Sequence, residues 1–111
     1  MYEDDWTLQS VSMLGLLLQS TGDLAGAAPL LRRALEARAR TLGKDHPDTL
    51  GSSYNLGALL YHMADLPGAE AMLQRTVEGY TRTLGAAHPD TRNAVGWLKG
   101  VQANLSKEQR A

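Results

Sequence analysis

The chain has 111 residues, enough for one small domain. Its 11 Lys and Arg nearly balance 12 Asp and Glu, leaving a net charge of −1, so no global field draws it to nucleic acid or to an anionic membrane. The absence of cysteine excludes disulfides, thiolate metal sites and thiol nucleophiles.

From Thr7 to Ser20 the apolar residues Leu8, Val11, Leu14, Leu17 and Leu18 recur every three or four positions, which predicts a helix with one buried stripe. Thr21-Gly22-Asp23 breaks it: glycine suits a left-handed helix end, and Asp23 suits the cap of the next helix. That second helix is predicted over Leu24 to Leu42, with Leu24, Ala27, Leu30, Leu31, Ala34, Leu35 and Leu42 buried. Arg32, Arg33, Glu36, Arg38 and Arg40 fall mostly on its solvated side. Pro29 lies past the first turn, where it removes the bond to the Ala25 carbonyl and should bend the helix start. Gly43 ends this helix, proline biases His46 to an extended backbone, and Asp48 is the expected cap of a third helix over Thr49 to Met63. Asp65-Leu66-Pro67 opens a fourth helix running to Leu84, with Pro67 in its tolerant first turn. His88-Pro89-Asp90 repeats the punctuation before a fifth helix over Thr91 to Leu105, and residues 106–111 are expected to be a frayed polar tail.

The punctuation recurs at a fixed distance. Arg40-Thr41-Leu42-Gly43 with His46-Pro47-Asp48-Thr49 returns 42 residues later as Arg82-Thr83-Leu84-Gly85 with His88-Pro89-Asp90-Thr91. At the same shift Leu14-Gly15 falls on Leu56-Gly57, Asp23-Leu24 on Asp65-Leu66, Gly26-Ala27 on Gly68-Ala69, and Leu31 on Leu73. A fixed period of this size predicts a stacked array rather than a single catalytic fold. The absence of phenylalanine and the weight of leucine and alanine suit helix-on-helix packing. The expected organisation is a single all-α domain over 1–111: repeats at about 7–48 and 49–90, a capping helix at 91–105 and a tail at 106–111.

The pattern Leu14-Gly15-x-Leu17-Leu18, Gly22-Asp23, Ala27, Leu31, Ala34 resembles the tetratricopeptide repeat. The 42-residue period with Leu-Gly-x-x-His-Pro-Asp-Thr is similar to the longer repeats of kinesin light chain and its relatives, against the usual period of about 34. The resemblance covers about Thr7 to Ala103. It implies a right-handed superhelical stack of antiparallel helix pairs, here five helices in about two and a half repeats. Gly15 and Gly57 then mark close helix approaches, opposed by Ala27 and Ala69, where larger side chains would overpack. Lys99 stands in the corresponding place of the third unit, as suits either a terminal helix with a wet outer face or a decayed, truncated unit.

The resemblance also implies that the concave wall, built from the first helix of each pair, takes an extended or helical peptide. By position, that wall comprises Gln9, Ser12, Met13, Leu16 and Gln19 in the first unit. The second gives Tyr54, Asn55, Ala58, Tyr61 and His62; the third gives Asn93, Gly96, Trp97 and Asn104. Asn55 matches an asparagine typical of the longer-repeat subfamily, whereas Met13 and Trp97 take its place in the other units, a departure from cargo recognition of the kinesin light chain type. Tyr54, Tyr61 and Trp97 have two readings: rigid anchors facing a ligand, or packing between repeats. His46 and His88 read as loop residues that hydrogen-bond ahead of proline. No lysine or arginine occurs between Thr7 and Ser20 or between Thr49 and Met63, unlike the repeats that clamp acidic chaperone tails.

No metal-binding motif or phosphate loop is present, so no catalytic residue, metal or cofactor is expected. No apolar run approaches the roughly 20 residues that span a bilayer, and the acidic Met1-Tyr2-Glu3-Asp4-Asp5 is unlike a targeting peptide, so the expected location is the cytoplasm. The expected function is a non-catalytic protein-interaction module that binds a protein or peptide partner, with no nucleic acid and no membrane. The alternative is a structural spacer or oligomerisation segment, as a homo-oligomer or with further repeats of a longer array.

Overall fold

Residues 5–110 are described by a computed structural model of the chain. They form five helices: α1 (Asp5–Ser20), α2 (Leu24–Leu42), α3 (Pro47–His62), α4 (Leu66–Leu84) and α5 (Pro89–Arg110). Among the described residues there is no strand. Short connections force each helix back along its predecessor. The helices pack in chain order, α1 on α2, α2 on α3, α3 on α4 and α4 on α5, in a slab of 47 × 33 × 20 Å.

The helix ends follow from a few residues. The Asp23 carboxylate accepts the Gly26 N–H at 2.9 Å, and Asp65 accepts the Gly68 N–H at 3.0 Å. Gly22, Gly43 and Gly85 adopt φ of 92°, 94° and 91°, where glycine carries no steric penalty. The third and fifth helices begin differently from expectation. Proline fixes the N1 position, and the cap is the histidine before it rather than Asp48. The Nδ1 of His46 accepts the Asp48 N–H at 3.1 Å, and the Nδ1 of His88 accepts the Asp90 N–H at the same distance. The helix of α2 runs through Pro29, and both Pro29 and Ala25 are exposed, so the carbonyl that lost its partner lies on a solvated stretch. α5 continues to Arg110 rather than ending at Leu105, because nothing in Ser106-Lys107-Glu108-Gln109 breaks a helix; Ala111 lies outside the described residues.

The core is aliphatic. Leu56, Leu59 and Leu73 are fully buried, and with Leu31, Leu35, Leu60, Leu66 and Val101 they form one cluster. Each such leucine contributes roughly 1.5–3 kcal/mol relative to an exposed one. The glycine contacts are close, but the opposing residue is a leucine rather than the expected alanine. A Cβ on Gly15 would meet Leu31 Cδ2 at 2.8 Å, and one on Gly57 would meet Leu73 Cγ at 2.8 Å. Gly79 makes a further close approach, against the side chain of Leu50.

Three expectations about burial fail. Leu42 is exposed. Arg38 is buried rather than solvated, because it lies between α2 and α3 and donates from a guanidinium nitrogen to Ser52 Oγ at 3.0 Å. Leu14 and Leu17 are 48% and 58% exposed, although their counterparts Leu56 and Leu59 are fully buried. The difference lies in the neighbours: α3 is flanked by α2 and α4, whereas α1 packs chiefly on α2.

Candidate functional site

Of the first helices of each pair, α3 and α5 make direct contact, and α1 shares a cleft with His62 of α3. The row of large side chains there centres on Trp97 of α5. Its ring meets Tyr61 edge-on at 5.6 Å, His62 at 5.8 Å and Tyr54 at 6.4 Å between centroids, with interplanar angles of 82–85°. Tyr61 also meets His62 at 5.7 Å. Edge-to-face contact is the arrangement that ring quadrupoles prefer. Tyr54 and Tyr61 are seven residues apart, hence on one face of α3, and Trp97 reaches them because α3 and α5 make direct contact.

These aromatic residues combine packing with accessibility. Tyr54, Tyr61 and Trp97 lie partly against the aliphatic core, and each remains partly accessible. Asn104 anchors Tyr61 by donating from Nδ2 to its hydroxyl oxygen at 3.2 Å. Clefts open along the row. One of about 280 Å³ is lined by Tyr61, Gly96, Trp97 and Gly100. A second, about 160 Å³, lies among Tyr54, Tyr80, Asp90 and Asn93. A third, about 650 Å³ and wide open, lies between Leu16, Gln19, Ser20 and Leu24 on one side and His62 on the other.

The sequence-predicted residues are thus only partly brought together. Tyr54, Tyr61, His62 and Trp97 form the ring cluster; Asn93 lines the cleft beside Tyr54, and Gln19 lines the one beside His62. Gln9 and Met13 are exposed on α1, Met13 at 62%, and Asn55 is half-buried on α3, none of them lining these clefts. Ser12 is buried, with 8% of its surface accessible, so it offers a ligand little. Tyr80 belongs to a second helix, outside the expected wall. Burial raises its phenol pKa, and the nearby Asp90 carboxylate adds to the effect. Its counterpart one period earlier is Arg38, so the repeat carries no signal for an aromatic there.

The polar groups of the row are mostly uncommitted. Among the described residues no hydrogen bond engages the Trp97 indole N–H, the Tyr54 hydroxyl or the side-chain amides of Asn55 and Asn93, and none of these atoms is sealed from solvent. Gln19 Oε1 is buried without a partner. Neither α1 nor α3 carries a lysine or arginine. The described residues contain no cluster of three or more His, Cys, Asp or Glu able to hold a metal ion. No described helix is long and apolar enough to cross a membrane.

The tetratricopeptide repeat model matches residues 6–82, more than half of the chain. The chain belongs to the tetratricopeptide repeat family. Its fold recurs in solved structures. BtubC (BKLC) from P. vanneervenii superposes with a TM-score of 0.84 at 18% identity, over 91% of this chain and 40% of that one. The kinesin-light-chain-type protein of Podosopora anserina with nearly identical TPR-like repeats gives 0.75 at 24% identity, over 94% and 57%. A point-substituted form of that same protein gives 0.70 at 23%, over 97% and 59%. This tetratricopeptide chain therefore spans about 40–60% of the length of these structures. No curated protein matches it in sequence. Tetratricopeptide domains are in general protein-interaction modules, and the five-helix repeat has their fold.

Proposed function

We propose that this chain is a non-catalytic interaction module that holds a peptide segment of a partner protein on the side lined by α1, α3 and α5. The observation that carries the reading is the half-open aromatic row of Tyr54, Tyr61, His62 and Trp97, flanked by clefts and by unengaged hydrogen-bonding groups. Large rigid rings that are already packed lose little entropy on binding, and hot spots concentrate in such residues. The test is selection of random displayed peptides on the whole chain, followed by affinity measurement on Tyr61→Ala and Trp97→Ala, with circular dichroism to confirm folding. Selected peptides should lose about tenfold or more in affinity on each variant. Peptides that bind both folded variants as well as wild type would overturn the proposal.

A second reading, self-association through α1, rests on a separate observation. Met13, Leu14, Leu16 and Leu17 are all large, apolar and at least 40% exposed on one helix. Contiguous exposed apolar surface of that kind favours association. Sedimentation over a wide concentration range decides it: a concentration-dependent mass that Leu14→Gln with Leu17→Gln abolishes supports this role, and a strict monomer removes it.

A further inference from the structure

We propose that the groove of α3 and α5 is built for a proline-rich segment in the polyproline II conformation; this rests on the peptide-binding reading above and narrows it to one ligand class. Three independent features converge. The first is the chemistry of the surface. Its apolar contacts are aromatic rings, the partners that polyproline grooves use. No lysine or arginine lies on α3, and of the α5 cations Lys107 lines a cleft with Tyr61 and His62 together with the opposite charge of Glu108, so the groove carries no net cationic invitation to an acidic ligand.

The second feature is the polarity of the hydrogen bonding. The Trp97 indole can only donate. The Tyr61 hydroxyl oxygen already accepts from Asn104, which leaves its own proton to give away. The Asn93 amide and the Tyr54 hydroxyl are unengaged and can donate as well as accept. Its two central groups, the Trp97 indole and the Tyr61 hydroxyl, are left as donors and suit a ligand with free carbonyls. A helical partner has its backbone carbonyls bonded internally, apart from its last turn. A polyproline II segment has no internal hydrogen bonds, and each proline offers a carbonyl and no N–H.

The third feature is spacing and relief. Tyr54 and Tyr61 are separated by seven residues of helix, an axial rise of about 10.5 Å; one turn of polyproline II advances about 9 Å. Successive ring-contacting prolines of such a ligand thus match the two tyrosines, with Trp97 between them. Gly96 and Gly100 keep the α5 side of the cleft low: a Cβ at either would meet nothing within 4 Å. Both glycines are exposed in mid-helix, where glycine is unfavourable by roughly 0.5–1 kcal/mol relative to alanine. Open space above them is what that choice provides.

The experiment uses fluorescein-labelled decaproline, which is pre-formed polyproline II, titrated with the whole chain and read by anisotropy. A labelled glycine-serine peptide and an alanine-leucine amphipathic helical peptide serve as comparisons. Decaproline should bind saturably and at least about tenfold more tightly than either, with less than about a twofold change between low and high salt. Gly100→Leu should weaken decaproline about tenfold or more by filling the cleft; since nothing opposes a side chain there and leucine is the better helix former, its helical spectrum should hold and its melting point should not fall. Tyr61→Phe, which keeps the ring and removes the donor, should weaken binding severalfold. Failure of decaproline to bind, or binding that Gly100→Leu leaves unchanged, overturns the proposal. If peptides from the random selection lack proline yet are lost with Gly100→Leu, the polyproline proposal fails while the peptide-binding reading stands. If Gly100→Leu affects neither, the polyproline proposal fails, and the peptide-binding reading is decided by Tyr61→Ala and Trp97→Ala.

Discussion

At the residue scale the two copies of the repeat act as controls on each other. The α1–α2 and α3–α4 turns are built alike: the Asp23 N–H bonds the Leu18 carbonyl at 2.8 Å, and the Asp65 N–H bonds the Leu60 carbonyl at 2.9 Å. In the first the left-handed residue is Gly22; in the second it is Ala64, at φ 64°. An L-residue there costs roughly 1–2 kcal/mol, partly offset by the greater freedom glycine would have in the unfolded chain. Ala64→Gly should therefore raise stability by about 0.5–1 kcal/mol, read as an upward shift of the thermal midpoint. Glycine contacts give a second comparison. Gly57→Leu should destabilise by about 1–3 kcal/mol, because its Cβ alone would stand 2.8 Å from Leu73 Cγ. Gly96→Ala should instead stabilise by about 0.5–1 kcal/mol, since nothing lies within 4 Å. Chemical denaturation of both variants checks the opposite signs. The resemblance to the tetratricopeptide repeat points to Gly15 and Gly57 as close contacts. It does not reveal the leucines opposing them, or Gly79, whose counterpart is Ala37, because which side chain reaches across depends on how the helices cross.

The elements are legible where their punctuation is local. α2 and α4 run from aspartate cap to left-handed glycine as expected, since both signals lie within a few residues of the helix they bound. α3 and α5 begin two residues earlier than expected, because the imidazole Nδ1 of His46 and His88 does the capping usually given to an aspartate or serine. His46→Ala should thus cost about 0.5–2 kcal/mol, while His46→Asn, which keeps an acceptor, should cost less; thermal melts distinguish them. One tie between elements is not legible, because its partners are distant in sequence. Arg82 of α4 donates to both carboxylate oxygens of Asp45, in the loop before α3, at 2.8 and 3.1 Å. The Arg82 hydrogen bonds hold the Asp45 carboxyl below its ordinary pKa. Its stabilisation is therefore complete above the unfolded carboxylate range and is lost as pH falls through the lowered folded value. Asp45→Asn should lose stability at neutral pH and show a shallower acid-side decline, measured by melts across that range.

For the whole molecule, the repeat dictates the architecture, because a recurring spacing of apolar residues fixes which faces must meet. It does not dictate the environment of each copy. Leu14 and Leu56 are the same letter in the same register, yet one is 48% exposed and the other buried, since burial depends on the neighbouring helix. Within the candidate groove, the positions of Tyr54, Tyr61, His62 and Trp97 follow from the first-helix register. Ser12 turns inward, and Tyr80 enters from a second helix, neither being encoded in one helix's periodicity. Ligand on the α3–α5 side of the slab is tested most directly by amide chemical-shift mapping of the isotope-labelled chain, titrated with a peptide from the random selection. Perturbations should concentrate at Tyr54–His62 and Asn93–Asn104, with Leu14 and Leu17 unmoved. Perturbations confined to α1, or to the arginines of α2, would contradict that placement.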